Sequence, residues 1–417
     1  MTVSEISVKC SHNGKHSSKK VVEAVLDFAS VPFWLLFVVI AVSFLGAILS
    51  AKLRISYPAI MVALGFALSI LRLSGGLAAI QLDRSLILGL IVPPLIFEAA
   101  MRTRYETFKS VQRVVLLLAV FGVIISALLS GLALSLTTGL PLAVALTFGV
   151  IVAPTDPISI VNILRKKRAP KRLTTILETE AYFNDATAVI LYPIAISLTF
   201  NPIESVSLFA YTFGGGVLIG LVVSAIAELL YRTITEPLAE TYFTIAVMFG
   251  SYTFAETFGV SGLVAVAIAG LYMGNRTMRV AMSNETRVTL TKFWEVVTFM
   301  ATSFAFLLLG LKADSTLLIE FLPYILVAFV VIILARIVSV YPVIHLGRML
   351  GEKIPPAWTK LLAVAGLRGA VSVALALSLP ASFPFREVVI AMTFGVALLS
   401  LVLQGELLQV YMKVRKL

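Results

Sequence analysis

The sequence is short of charge, cysteine and histidine, and each shortage excludes something. Asp, Glu, Lys and Arg supply 13% of its 417 residues and apolar types 59%, against about 25% and about 45–50% in soluble domains. With a mean hydropathy of +1.01, this composition excludes a soluble enzyme and a disordered chain. The single cysteine, Cys10, rules out a disulfide framework and a cysteine metal site. The only histidines, His12, His16 and His345, are too few and too scattered for a zinc or haem centre. Short alternating strands are also missing, which excludes a transmembrane β-barrel.

What the sequence has is apolar blocks of about 20 residues, the length that crosses a bilayer as a helix. The fold class is therefore an all-α polytopic membrane protein. The first block starts near residue 31, too late and too long for a cleaved signal peptide, and is expected to stay in the mature chain. Thirteen spans are expected, at approximately 31–51, 57–71, 85–101, 113–137, 141–164, 173–199, 205–231, 240–257, 260–275, 291–311, 318–346, 357–379 and 385–412. A polar N-terminal tail, 1–30, precedes them and a short tail, 413–417, follows.

The net charge of +11 is mostly an orientation signal rather than a sign of a nucleic-acid partner. Loops on one side hold 23 of the 33 Lys and Arg residues; the opposite loops hold Arg72, Arg84, Lys312 and Arg386, and the N-terminal tail four lysines. Positive charge marks the cytoplasm. The expected topology is a multi-pass protein of the plasma membrane with its N-terminus outside and its C-terminus inside. Arg336 and Arg368 are left within spans. No partner for Arg336 follows from the sequence; snorkelling and pairing with Glu320 both stay open.

Spans one to six, shifted by about 212 residues, fall on spans eight to thirteen. An offset of seven spans inverts the second half, as in many secondary transporters. The expected organisation is a first inverted repeat over 31–199, a connecting helix over 205–231 and a second repeat over 240–412. Helix breakers fall in corresponding spans: Ala153-Pro154-Thr155-Asp156-Pro157 in span five and Gly366-Leu367-Arg368-Gly369-Ala370 in span twelve. Proline removes a donor and glycine loosens the helix. Paired broken spans point to a midplane site, because a broken helix frees carbonyls that can ligate a cation.

Charges inside a bilayer are costly, so each is a functional candidate. Glu98, Asp156, Glu178, Glu180, Asp185, Glu228, Glu295, Glu320, Arg336, Arg368 and Glu406 qualify. Glu228, Glu320 and Glu406 lie near span ends and are expected simply to be solvated. The dense group is Glu178-Thr179-Glu180-Ala181-Tyr182-Phe183-Asn184-Asp185. On a helix, Glu178 and Asp185 share a face, while Glu180 and Asn184 lie about 40° apart. Na⁺ takes oxygen ligands, and desolvation lets a carboxylate hold a proton when no cation is bound. One such site, exposed alternately to each side, suffices for antiport.

The segment from Ala153 to Asp185 closely resembles the sodium/proton antiporters of the NhaP/NHE branch of the monovalent cation:proton antiporters. Further matches are Pro94-Leu95-Ile96-Phe97-Glu98-Ala99-Ala100, Phe293-Trp294-Glu295, Phe306-Leu307-Leu308-Leu309-Gly310-Leu311 and Gly366-Leu367-Arg368-Gly369-Ala370-Val371-Ser372. The resemblance implies thirteen helices, a six-helix core domain moving against a dimerisation domain, and a homodimer. It implies that Asp185 is the essential carboxylate carrying either cation or proton, with Asn184 orienting the site and Glu180 a second ion ligand. Thr155 and Asp156 would sit beside it at the crossing, the Thr155 carbonyl ligating Na⁺. A single such carboxylate goes with electroneutral one-for-one exchange. Glu98 and Arg368 would form a buried structural ion pair. No cofactor is implied beyond the transported Na⁺ (or Li⁺) and H⁺.

This chain departs from the family at Thr179 and Ala181, where glycine and serine are usual. Alanine cannot lend the serine hydroxyl to a cation shell, so a K⁺/H⁺ antiporter on the same scaffold is the alternative. A cation channel is a rival of another class. An intramembrane enzyme is disfavoured because no Ser/His dyad or metal-ligand cluster lies in the spans.

Overall fold

The computed structural model describes residues 33–53, 55–71, 86–156, 161, 164, 169–198, 201–234 and 236–404. The tails expected at 1–30 and 413–417, together with Pro157 and Glu406, lie outside the described residues. Among the described residues every regular element is helical.

Helix α1 (Phe33–Leu53) leads into α2 (Tyr57–Ile70), whose first turn carries Pro58, where a missing N–H costs nothing. A π turn, Leu86–Ile91, opens into α3 (Val92–Arg102). Helix α4 (Gln112–Thr138) contains a π turn at Leu118–Gly122 and stops at Gly139, which takes φ 72°, a left-handed end open to glycine. Then come α5 (Leu142–Ile151), α6 (Lys171–Ile196), α7 (Pro202–Tyr231) and α8 (Pro237–Thr257). Helix α9 (Gly262–Tyr272) is capped by Ser261, whose hydroxyl accepts from the Val264 N–H at 3.3 Å. Helices α10 (Asn284–Lys312), α11 (Leu322–Met349), α12 (Pro356–Val364), α13 (Ala370–Leu377) and α14 (Arg386–Leu399) complete the longer helices, with a π turn at Ser400–Gln404.

Five stretches among the described residues are long and apolar enough to cross a membrane: Gln112–Thr138, Ile203–Tyr231, Glu285–Lys312, Leu322–Met349 and Arg386–Gln404. Shorter apolar helices include Tyr57–Ile70 and Leu142–Val152. Spans five and twelve are each interrupted, so no single helix there has full crossing length.

By packing, the chain divides into two units. One is built on Arg84–Arg104 and Ile203–Ala301, the other on Phe37–Asp83, Tyr105–Pro202 and Thr302–Leu417. Each unit draws helices from both halves of the sequence.

In the first unit, α9 lies directly on α3: a Cβ at Gly270 would stand 2.6 Å from the Phe97 carbonyl oxygen. Without a hydrophobic drive between helices in lipid, close approach through small residues supplies the contact. Trp294 is buried; its Nε1 donates to Thr244 Oγ1 at 2.9 Å, and its ring lies 4.9 Å from that of Phe97. Two of the sequence motifs thus meet here. Arg102 binds the carboxylates of both, pairing with Glu98 one turn back and with Glu295 at 2.9 Å.

In the second unit, α2 and α10 approach backbone to backbone. A Cβ at Gly310 would lie 2.8 Å from the Phe66 nitrogen and closer still to the Val62 oxygen; one at Gly65 would lie 3.0 Å from the Leu311 nitrogen. The Phe306–Leu311 motif is therefore a packing seam. Helices α4 and α5 meet in the same way, through Gly131 against Leu146 and Gly149 against Ala127.

Candidate functional site

The site belongs to the second unit and begins with two helix ends. Helix α5 runs out at Ile151, and residues 153–156 have no regular structure; Pro154 has no N–H with which to continue the ladder. Helix α12 ends at Val364, and 365–369 separate it from α13. These two irregular segments touch. The Asp156 N–H donates to the Leu367 carbonyl at 2.8 Å, and Arg368 Nη1 donates to the carbonyls of Ala153 (2.7 Å) and Pro154 (3.1 Å). Arg368 is 1% exposed, and the carbonyls freed by one break accept from the guanidinium carried by the other. Gly369 makes room for Asp156: a Cβ there would stand 2.8 Å from the Asp156 Cβ and 3.1 Å from its Oδ2. The Asp156 carboxylate thereby lies at the N-terminus of α13, the electropositive end of a helix.

Helix α6 brings in the remaining groups. Asn184, fully buried, donates from Nδ2 to Thr155 Oγ1 at 2.7 Å and accepts from the Thr155 N–H at 3.4 Å. The same Nδ2 lies 3.2 Å from Glu180 Oε1. Neither bond uses the Thr155 carbonyl. Glu180 is also buried and is held by Arg336 in a two-pronged pair, Nη1 to Oε1 at 2.9 Å and Nη2 to Oε2 at 3.0 Å. Arg336 Nη2 further approaches the Leu362 carbonyl at 3.5 Å, in the last turns of α12. Asp185 is partly buried, within electrostatic range of Asp156 and Glu180. It makes no hydrogen bond or ion pair with another described residue. Glu178 is buried two turns earlier on α6.

The structure therefore brings Thr155, Asp156, Glu180, Asn184 and Asp185 together with Arg368, and adds Arg336. Four of the charges read from the sequence meet contacts that the sequence did not indicate. The two charges of the expected Glu98–Arg368 pair have other partners: Glu98 pairs with Arg102, and Arg368 takes the carbonyls that Pro154 releases. Arg336 neither snorkels nor turns to Glu320, which is exposed; it is 3% exposed and binds Glu180. That pair engages both Glu180 oxygens, so Glu180 stands here as an anchored carboxylate. Glu228 is not solvated either, since Tyr272 Oη (2.7 Å), Arg276 Nε (2.8 Å) and Arg232 Nη2 (3.1 Å) all donate to it.

The Thr179 hydroxyl donates to the Thr175 carbonyl at 2.5 Å, and Ala181 is buried without an oxygen to offer. Among the described residues, no group of three or more His, Cys, Asp and Glu side chains is arranged to hold a metal ion.

Known proteins resemble this chain along most of its length. Residues 39–414 match the family of transmembrane sodium/hydrogen exchangers. The Na⁺/H⁺ antiporter ApNhaP of Aphanothece halophytica is 32% identical over 381 residues, covering 89% of this chain and 71% of that protein. The Na⁺/H⁺ antiporter NhaH of Halobacillus aidingensis is 34% identical over 333 residues, covering 78% and 82%. In fold, the chain matches the sodium proton antiporter MjNhaP1 of Methanocaldococcus jannaschii with a TM-score of 0.71 at 23% identity, over 90% of this chain and 100% of that one. These relatives are transporters, not enzymes, and this chain belongs to the sodium/hydrogen exchanger family.

Proposed function

We propose that this chain exchanges Na⁺, or Li⁺, for H⁺ across the plasma membrane by alternating access. It does so as a homodimer of thirteen-span protomers in two inverted six-helix repeats, N-terminus outside and C-terminus cytoplasmic. The observation carrying the reading is the state of Asp185. Its buried neighbours are compensated, Glu180 by Arg336 and Arg368 by two carbonyls. Asp185 has no ion-pair partner among the described residues. A carboxylate in that position takes either a proton or a small cation, since each neutralises it.

The stoichiometry follows from charge. Asp185 with a proton and Asp185 with Na⁺ carry the same net charge, so if Asp156 keeps one state throughout, one Na⁺ moves against one H⁺ and the cycle is electroneutral. The Thr155 carbonyl and the Asp156 carboxylate complete an oxygen shell around the ion. Asn184 fixes Thr155, and Glu180 acts through Asn184 and Arg336 to hold that geometry. A K⁺/H⁺ exchanger is the second reading, favoured by Ala181 and by the commitment of the Thr179 hydroxyl to Thr175. Fewer oxygen ligands repay less of the dehydration of a small cation, which weakens the preference for Na⁺.

The test is purified protein in liposomes with an imposed pH gradient. Na⁺ and Li⁺ are expected to collapse the gradient more effectively than K⁺, with Asp185→Asn inactive yet folded. Exchange retained by Asp185→Asn would sink the assignment. A K⁺ preference would select the second reading, and currents far above carrier turnover would indicate a channel.

A further inference from the structure

The break between α12 and α13 is held from a helix that the exchange reading does not use. A broken helix leaves carbonyls at one end and N–H groups at the other without partners, and buried orphans of this kind are costly in lipid. Here two side chains of the last helix meet them. Gln404 Nε2 donates to the carbonyl of Val364, the final residue of α12, at 2.8 Å. The Ser400 hydroxyl accepts from the Arg368 N–H at 3.0 Å and donates to the Ala397 carbonyl of its own helix at 3.0 Å. Both residues are buried, at 1% and 6% exposure.

The two residues bound a single π turn, Ser400–Gln404. Such turns are rare and concentrate at functional sites, because they re-aim side chains within a helix. The arrangement parallels the other break. There, Asn184 of the helix that follows α5 satisfies Thr155 through its N–H and hydroxyl. In each case the next long helix supplies the polar groups that its broken predecessor lacks. Arg368, whose backbone Ser400 binds, is the residue whose side chain ties down Ala153 and Pro154; Leu367, adjacent to it, accepts from Asp156.

We propose that Ser400 and Gln404 are positioning residues of the transport site: together they fix the second break so that Leu367 and Arg368 set the place of Asp156 and Thr155 relative to Asp185. This rests on the exchange proposed at Asp185. Loosening the break weakens cation binding without removing a ligand, so the loss falls on Na⁺ affinity rather than on maximal rate.

The experiment is Na⁺-dependent proton exchange by the full-length protein in liposomes, with Na⁺ concentration and pH both varied. Ser400→Ala and Gln404→Leu are each expected to raise the apparent KM for Na⁺ by about five- to tenfold with Vmax within about twofold. A weakened cation also competes less well with protons, so the activity profile at fixed Na⁺ moves to higher pH. Ser400→Thr, which keeps the hydroxyl, is expected to restore both. Should Gln404→Leu fail to fold, Ser400→Ala, which removes one oxygen, still gives the readout. Folded variants with lowered melting temperature but unchanged KM and pH profile overturn the proposal. Wild-type liposomes without Na⁺-dependent exchange overturn instead the reading on which it rests.

Discussion

Removing either partner of the Glu180–Arg336 pair leaves the other charge buried without its ion-pair partner. The side chains are 1% and 4% exposed and make two parallel contacts of 2.9 and 3.0 Å, so neither can turn to solvent when its partner is lost. Breaking a buried pair of this kind costs about 3–5 kcal/mol, whereas replacing both members with neutral groups of similar size is often close to neutral. Glu180→Gln keeps the carbonyl that accepts from Asn184, and Arg336→Met keeps most of the volume beside Gly366. Each single variant is expected to lose about 3 kcal/mol or more, and the double variant to recover at least about 2 kcal/mol of the summed loss. The assay is thermal unfolding in detergent of wild type, both singles and the double. A double variant less stable than either single, by the sum of their losses, would refute the pairing.

Other consequences follow from single contacts. Gly310→Val places branched carbons where the Val62 oxygen and the Phe66 nitrogen already sit, and is expected to cost several kcal/mol and to abolish recovery of folded protein in fluorescence-detected chromatography. Glu98→Gln and Arg368→Gln are expected to give additive losses of thermal stability, since Glu98 is served by Arg102 and Arg368 by carbonyls; non-additivity above about 0.5 kcal/mol would restore their pairing. Asn184→Ala strips Thr155 of both its bonds and is expected to lower Na⁺ affinity more than Vmax, read from initial exchange rates.

Where the sequence was informative, the signal was chemical rarity within an apolar run. Pro154 and Gly369 were legible because they cannot continue a helix, and the structure breaks α5 and separates α12 from α13 at those points. The roles of Asn184 and Thr155 were legible only through the resemblance, and the hydrogen bonds between them supply a physical reason. The partnership of Glu180 with Arg336 spans 156 positions, and no periodicity links residues so far apart. Both are legible as intramembrane charges, but only tertiary packing assigns one to the other. Glu98 finds a partner on its own helix, Arg102 one turn on, which the i, i+4 spacing makes legible in the sequence. For Glu228, nearness to a span end points to solvation, whereas Tyr272 and Arg276 donate to it. The motif around Gly310 was visible without a reason, which the backbone contact with α2 now provides.

The central claim is that one carboxylate, Asp185, holds either the cation or the proton. It is tested most directly by the apparent KM for Na⁺ as a function of pH in liposomes. Competition at a single site makes the KM rise about tenfold for each unit of falling pH on the acid limb, with Vmax at saturating Na⁺ unchanged. A KM that stays flat while Vmax falls would mean that the proton and the cation occupy separate sites, and would contradict the account.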